Sequence, residues 1–194
     1  MAQFLDALDK NEARLYAQTI NATRLLVLTF VRTSELINAH WNEIKFDKAE
    51  WHIPAERMKM RRPHIVPLSK QALDILKAQK LISGHRPFVF PSIVHGKKCM
   101  SNGTILGAIR RLGFKELTTG HGFRALARTT IREELDYPAD VIETQLAHKS
   151  QGVLGEAYDR TQFLKKRKVM MQDWANYIDA LGSKGKVIRG KFGG

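Results

Sequence analysis

The chain has 194 residues, 43% of them apolar and 26% charged, enough to bury one sizeable core. Its 32 lysines and arginines outnumber 19 aspartates and glutamates, giving a net charge of +13 that favours a polyanionic partner, either nucleic acid or an acidic membrane surface. The single cysteine, Cys99, excludes a disulfide framework and a cysteine-built zinc site. The seven histidines form no HxxxH or HExxH pair, and no apolar run reaches the roughly 18 residues of a membrane helix.

The N-terminal stretch carries acidic residues and no unbroken apolar segment, so it does not read as a signal peptide. The first forty residues read as helices: Phe4, Leu5, Leu8 and Leu15 follow a helical stripe, and Leu25 to Val31 is strongly apolar. Glu43 to Phe46 and Trp51 to Pro54, joined by a turn at Asp47 to Ala49, read as a hairpin, and Ile65 to Leu68 as a third short strand. Between them lies a basic connection from Ala55 to His64, in which Pro63 limits strand pairing. Ser69 is an N-cap for a helix over Gln71 to Lys80, Gly84 to Pro87 breaks that helix, and Phe88 to Phe90 is a short apolar run.

Further helices are expected over about 102–112, 121–135, 138–146, 154–160 and 163–181, with ends uncertain by about 2–4 residues. The last has Phe163, Leu164, Met170, Met171, Trp174, Tyr177, Ile178 and Leu181 on one stripe, which reads as packing on its own domain. The run Lys165 to Lys168 reads as that helix's solvated face. The expected fold class is mainly α with a small antiparallel β-sheet (α+β). Residues 1–181 form one domain and 182–194 a flexible, basic, Gly-rich tail.

Four patterns carry the candidate chemistry. Arg32 ends an apolar helix and is followed three residues on by Glu35, which can hold its guanidinium. His121 and Arg124 are three apart at a helix start that Thr118 or Thr119 can cap, where free backbone N–H groups suit a phosphate. His148 closes Leu146-Ala-His, and Tyr158 follows ten residues later. Taken singly these are weak: a cation completing a helix dipole, two surface polar residues, a half-buried tyrosine.

In order, with Lys59 placed seven residues before Val66-Pro-Leu, they resemble the tyrosine recombinase (phage integrase) family over about residues 20–180. The stretch Trp51 to Ser69 is similar to integrases of prophages and genomic islands. The resemblance implies the catalytic-domain fold of that family, with Arg32, Lys59, His121, Arg124, His148 and Tyr158 as the catalytic set and Glu35 supporting. Arg61 and Arg62 are expected DNA contacts. Arg32 and Arg124 would clamp the phosphate, Tyr158 would attack it, His121 would handle the proton, His148 would hydrogen-bond the phosphate, and Lys59 would protonate the departing 5′ oxygen. Replacing Arg124 by alanine is expected to abolish cleavage while changing the fold little.

No cofactor or metal is implied. The partners implied are double-stranded DNA, a homotetramer on DNA for a full-length protein, a DNA-bending protein and an excisionase, with no membrane, in a bacterial cytoplasm at the nucleoid. Core-binding and arm-binding domains, which such integrases carry before the catalytic domain, are expected to be absent from this chain. Two departures stand out: family members often have Thr-Gly-Leu where this chain has Thr29-Phe-Val31, and Leu-Gly-His where it has Leu146-Ala-His148. The alternatives are a type IB topoisomerase-like nicking-closing enzyme and a non-catalytic DNA-binding module.

Overall fold

The computed structural model describes residues 1–115, 122–148 and 163–184. Helix α1 (Ala2–Lys10) buries Phe4, Leu5 and Leu8 and ends at Asn11 in the left-handed region. The Phe4 ring meets Phe114 edge-on and Phe123 at an angle, at centroid distances of 5.3 and 5.1 Å. Helix α2 (Ala17–Thr29) buries nearly every residue from Ala22 onward, so it has no solvent face there. A helix apolar all round must be surrounded. Accordingly α2 packs against α3 (Thr33–Ile37), α4 (Lys70–Ser83), α5 (Asn102–Arg111), α6 (Gly122–Glu133) and α8 (Leu164–Lys184).

The sheet has three antiparallel strands in the order β1 (Ile44–Lys45), β2 (Glu50–Ile53), β3 (His64–Pro67). Trp51 stands opposite both Ile44 and Val66, and Ile53 opposite His64. The first strand is shorter than the expected Glu43–Phe46. Glu43 closes a 3-10 turn over Trp41–Glu43, and its carboxylate turns inward to accept the Trp51 indole N–H at 2.9 Å. β3 is an edge strand, where Pro67, which has no N–H to donate, is tolerated.

Ser69 caps α4, its hydroxyl accepting the Ala72 N–H at 3.2 Å. The apolar run at Phe88 to Phe90 joins no sheet. It is tied in by single bridges, with Val89 N–H donating to Ala39 O at 2.8 Å and Met100 N–H to Phe90 O at 2.7 Å. Helix α7 (Ala139–Gln145) begins after Pro138, whose lacking N–H costs nothing at a helix start. The expected helix over 154–160 and the caps Thr118 and Thr119 lie outside the described residues.

Helix α8 spends its apolar stripe on its own domain. Met170, Met171, Trp174, Ala175 and Ile178 are buried, and the Trp174 indole N–H donates to Val27 O at 3.0 Å. Burying such a large side chain is worth about 1.5–3 kcal/mol. The helix runs to Lys184, three residues past Leu181. The reading of Lys165 to Lys168 as a solvated face holds for Lys165 and Lys166, which are exposed, but fails for Arg167, which is 1% exposed. Arg167 lies three, four and seven residues before Met170, Met171 and Trp174, so the helix period places it on the buried stripe.

Candidate active site

The chain reaches the site through an unusual turn. α2 ends at Phe30, held at φ 39 with its N–H on Leu26 O at 2.8 Å. A left-handed residue with a Cβ costs roughly 1–2 kcal/mol, which is why glycine is favoured at such a helix end. Phe30 offsets this by complete burial edge-on against Trp174, with ring centroids 6.2 Å apart. Ala147, the second departure from the family pattern, also lies in the left-handed region, at φ 49. Both positions where relatives often carry glycine are therefore positions where the backbone turns left-handed.

The turn at Phe30 delivers Arg32 to the N-cap of α3. Its backbone N–H donates to Glu35 Oε2 at 2.8 Å and its Nη1 to Glu35 Oε1 at 2.7 Å. Glu35 is 3% exposed, so this carboxylate is a buried brace and not a surface ion-pair partner. Arg124, in the first turn of α6, is also buried. Its Nη1 donates to Phe30 O at 2.6 Å and its Nη2 to Leu146 O at 2.8 Å. The left-handed turns at Phe30 and Ala147 thus sit at or next to the two carbonyls that grip this guanidinium.

Burial, then the neighbouring positive Arg32, lower the Arg124 pKa to about 10, with Glu35 and Glu143 opposing. It stays charged at neutral pH. Two like charges are thereby held together, one on a carboxylate and one, among the described residues, on two carbonyls, and the excess suits a bound anion.

His148 follows Ala147. Its Nδ1 lies 2.5 Å from Glu143 Oε2, and the other oxygen of Glu143 accepts Arg128 Nε at 2.5 Å. Burial pushes the Glu143 pKa up, but the hydrogen bonds from Arg128 and His148 outweigh it and leave it below its ordinary value. With Nδ1 engaged, contact with a ligand falls to Nε2.

Two residues of this site, Arg167 and His64, were not singled out from the sequence. Arg167 donates from Nε and Nη2 to Gln145 Oε1, at 2.9 and 2.8 Å, and from Nη2 to Ile65 O, joining α8 to α7 and β3. His64, on β3, donates from Nε2 to Gln145 O at 3.1 Å. Burial, then the positive charges of Arg167, Arg124 and Arg32, hold the His64 pKa down at about 3, against the opposing hydrogen bond to Gln145. Three arginines from α3, α6 and α8 therefore converge on one neutral imidazole. For Arg167 the stripe position was the available signal. For His64 none was, since a histidine before Ile-Val-Pro has no local pattern that marks it as buried.

The depressed pKa makes stability depend on pH. Between pH 6.5 and about 3 the unfolded chain binds a proton at His64 that the native state refuses, so stability falls as pH drops below 6.5. In His64→Gln, whose side-chain amide can still donate to Gln145 O, urea unfolding from pH 7 to pH 4 is expected to show a shallower decline than the parent. Parallel curves would show that His64 does not carry this dependence.

Lys59 is exposed, in the connection between β2 and β3, and is not among the groups that perturb Arg124 or His64. Arg61 and Arg62 are exposed beside it, Arg61 at φ 54. His121 and Tyr158 lie outside the described residues. The structure thus brings together Arg32, Glu35 and Arg124, with His148 tied in through Glu143, and leaves Lys59 on a separate element. Among the described residues, no group of three or more His, Cys, Asp or Glu side chains is placed to hold a metal ion.

The fold is mainly helical with one small antiparallel sheet, and comparison with known proteins gives the family. A model of the phage integrase family matches residues 1–165, and the chain belongs to that family. It is 44% identical over 164 residues to the prophage integrase IntZ of Escherichia coli (strain K12), covering 84% of this chain and 40% of that protein. It is 42% identical over 173 residues to the integrase of Enterobacteria phage P4, covering 81% of this chain and 39% of the relative. The chain thus spans about two fifths of the length of these relatives. A crystal structure of the XerA recombinase shares the fold, with a TM-score of 0.60 at 16% identity over 85% of this chain and 60% of that one.

Proposed function

We propose that this chain is the catalytic domain, residues 1–181, of a site-specific DNA recombinase that integrates or excises a mobile element. The observation that carries the reading is the convergence of Arg32 and Arg124, charged and braced by Glu35, Phe30 O and Leu146 O, as a fixed receptor for a phosphodiester. In the reaction, the Tyr158 phenolic oxygen bonds to phosphorus as the bond to the 5′ oxygen breaks. His121 accepts the phenolic proton and Lys59 donates one to the departing 5′ oxygen. The free phenol has a pKa near 10, so it needs such a base or a strongly positive site. The 3′-phosphotyrosyl bond conserves the phosphodiester energy, and a different 5′ hydroxyl can reverse the step without ATP.

The basic surplus, with Arg61 and Arg62 exposed beside Lys59, supports double-stranded DNA as partner and predicts binding that weakens steeply with salt. The tail expected over 182–194 is shortened by α8, which runs to Lys184, and the residues after it serve as that tail. In the whole protein, core-binding and arm-binding domains precede this one, four copies assemble on two DNA sites, and a DNA-bending protein and an excisionase assist. No helix among the described residues is long and apolar enough to cross a membrane, and the proposed site of action is the bacterial cytoplasm, at the nucleoid.

A nicked suicide substrate tests the reading. It should yield a protein–DNA adduct stable on a denaturing gel, with the attached nucleotide mapping by peptide analysis to Tyr158. No adduct, with DNA still bound, would favour a non-catalytic DNA-binding module. Relaxation of supercoiled DNA without exchange between two sites would favour a type IB topoisomerase-like enzyme.

A further inference from the structure

We propose that Arg57 is a positioning residue that registers the Lys59 connection against the Arg32 helix. The inference rests on the reading of Lys59 as the proton donor. Arg57 lies in a 3-10 turn over Ala55–Arg57, two residues before Lys59, in the connection from β2 to β3. Its Nη1 meets both carboxylate oxygens of Glu43, and its Nη2 donates to the backbone carbonyl of Glu35. Glu35 is the residue whose side chain braces Arg32. A single side chain thus ties the base of the Lys59 connection to the element that carries the phosphate clamp, and Met58, 3% exposed, anchors the same turn in the core.

Stability alone is a poor account of this arrangement. The Arg57 side chain is 14% exposed and that of Glu43 8%, and the Nε of Arg57 is buried without a hydrogen-bond partner among the described residues. An ion pair taken out of water with a donor unsatisfied gives little net stability, whereas its fork geometry fixes direction. The geometric need is plain. Lys59 is exposed on a connection of its own, while the clamp is built from helices, and a misplacement of about 1 Å in a reacting group can cost 10²-fold in rate.

The test uses Arg57→Lys, which keeps the charge on Glu43 but cannot also span to Glu35 O, together with Arg57→Met and a Lys59→Ala control. Each is assayed on ordinary nicked DNA and on DNA with sulfur in place of the bridging 5′ oxygen, which departs as a thiolate without a proton donor. Both Arg57 variants should cleave ordinary DNA at least about tenfold more slowly and recover near-parent rates on the sulfur substrate. Amide hydrogen exchange should quicken over residues 55–62 while β2 and β3 stay protected. Equal loss on both substrates, with Lys59→Ala rescued, overturns the proposal. If Lys59→Ala is not rescued, the proton-donor reading fails instead. Exchange then decides: quickened exchange over 55–62 sustains the positioning role, and unchanged exchange overturns it.

Discussion

Arg124→Ala is expected to lower adduct formation on a nicked substrate by about 10³-fold, the scale seen when a fixed donor to a developing oxyanion is removed. It is also expected to lower stability while leaving the fold itself little changed. Arg124 is 5% exposed and donates to Phe30 O and Leu146 O. Its loss leaves two buried carbonyls without that donor and opens a void between α2 and α7, a cost of roughly 2–4 kcal/mol. Arg124→Lys separates the two effects, because an ammonium keeps the charge but cannot reach both carbonyls and a phosphate in one plane. It should recover part of the stability and little of the rate. The checks are single-turnover cleavage and urea midpoints measured on the same preparations. Near-parent cleavage by either variant would remove Arg124 from the clamp.

Arg167→Met is expected to be the most destabilising single change on α8. Arg167 makes hydrogen bonds to Gln145 Oε1 and Ile65 O from a position with 1% exposure. Gln145 Nε2 is already buried without a partner among the described residues, so removing Arg167 leaves that amide short at both ends. Two orphaned acceptors cost roughly 2–5 kcal/mol, or about 5–15 °C in the melting temperature of a chain of this size. The substitution also removes the largest charge acting on His64, whose pKa should rise. Calorimetry measures the first effect and NMR titration of the His64 ring the second. A melting temperature within a degree or two of the parent would show that Met170, Met171 and Trp174 dock α8 unaided. Tyr158 lies nine residues before Arg167 in the chain, so a loosened α8 is also expected to slow adduct formation.

Much of the fold was legible without coordinates because it rests on local periodicity. The apolar run from Leu25 to Val31 that forms the end of α2 and the turn after it, the Ser69 cap and the stripe on α8 are each carried by residues within a few turns of one another. The sheet was legible in number and order of strands, but the first strand was overdrawn by two residues, Glu43 and Phe46. Nothing local says that the Glu43 carboxylate turns inward to Trp51 and Arg57. The run Lys165 to Lys168 shows the same limit, since charge suggests solvent while the helix period places Arg167 inside.

The candidate residues divide along that line. The order and spacing of Arg32, Lys59, His121, Arg124, His148 and Tyr158 are properties of the chain, and they were enough to point to a family and a chemistry. Which of the described ones meet was decided by tertiary structure, because Arg32 and Arg124 are far apart in sequence and come together only where the left-handed turns at Phe30 and Ala147 present carbonyls to one guanidinium. The same holds for the neutral state of His64 and for Arg57, two residues before Lys59, whose guanidinium meets Glu43 and the Glu35 carbonyl. Each depends on burial and on a charge brought from a distant element, and neither is encoded in the few residues on either side.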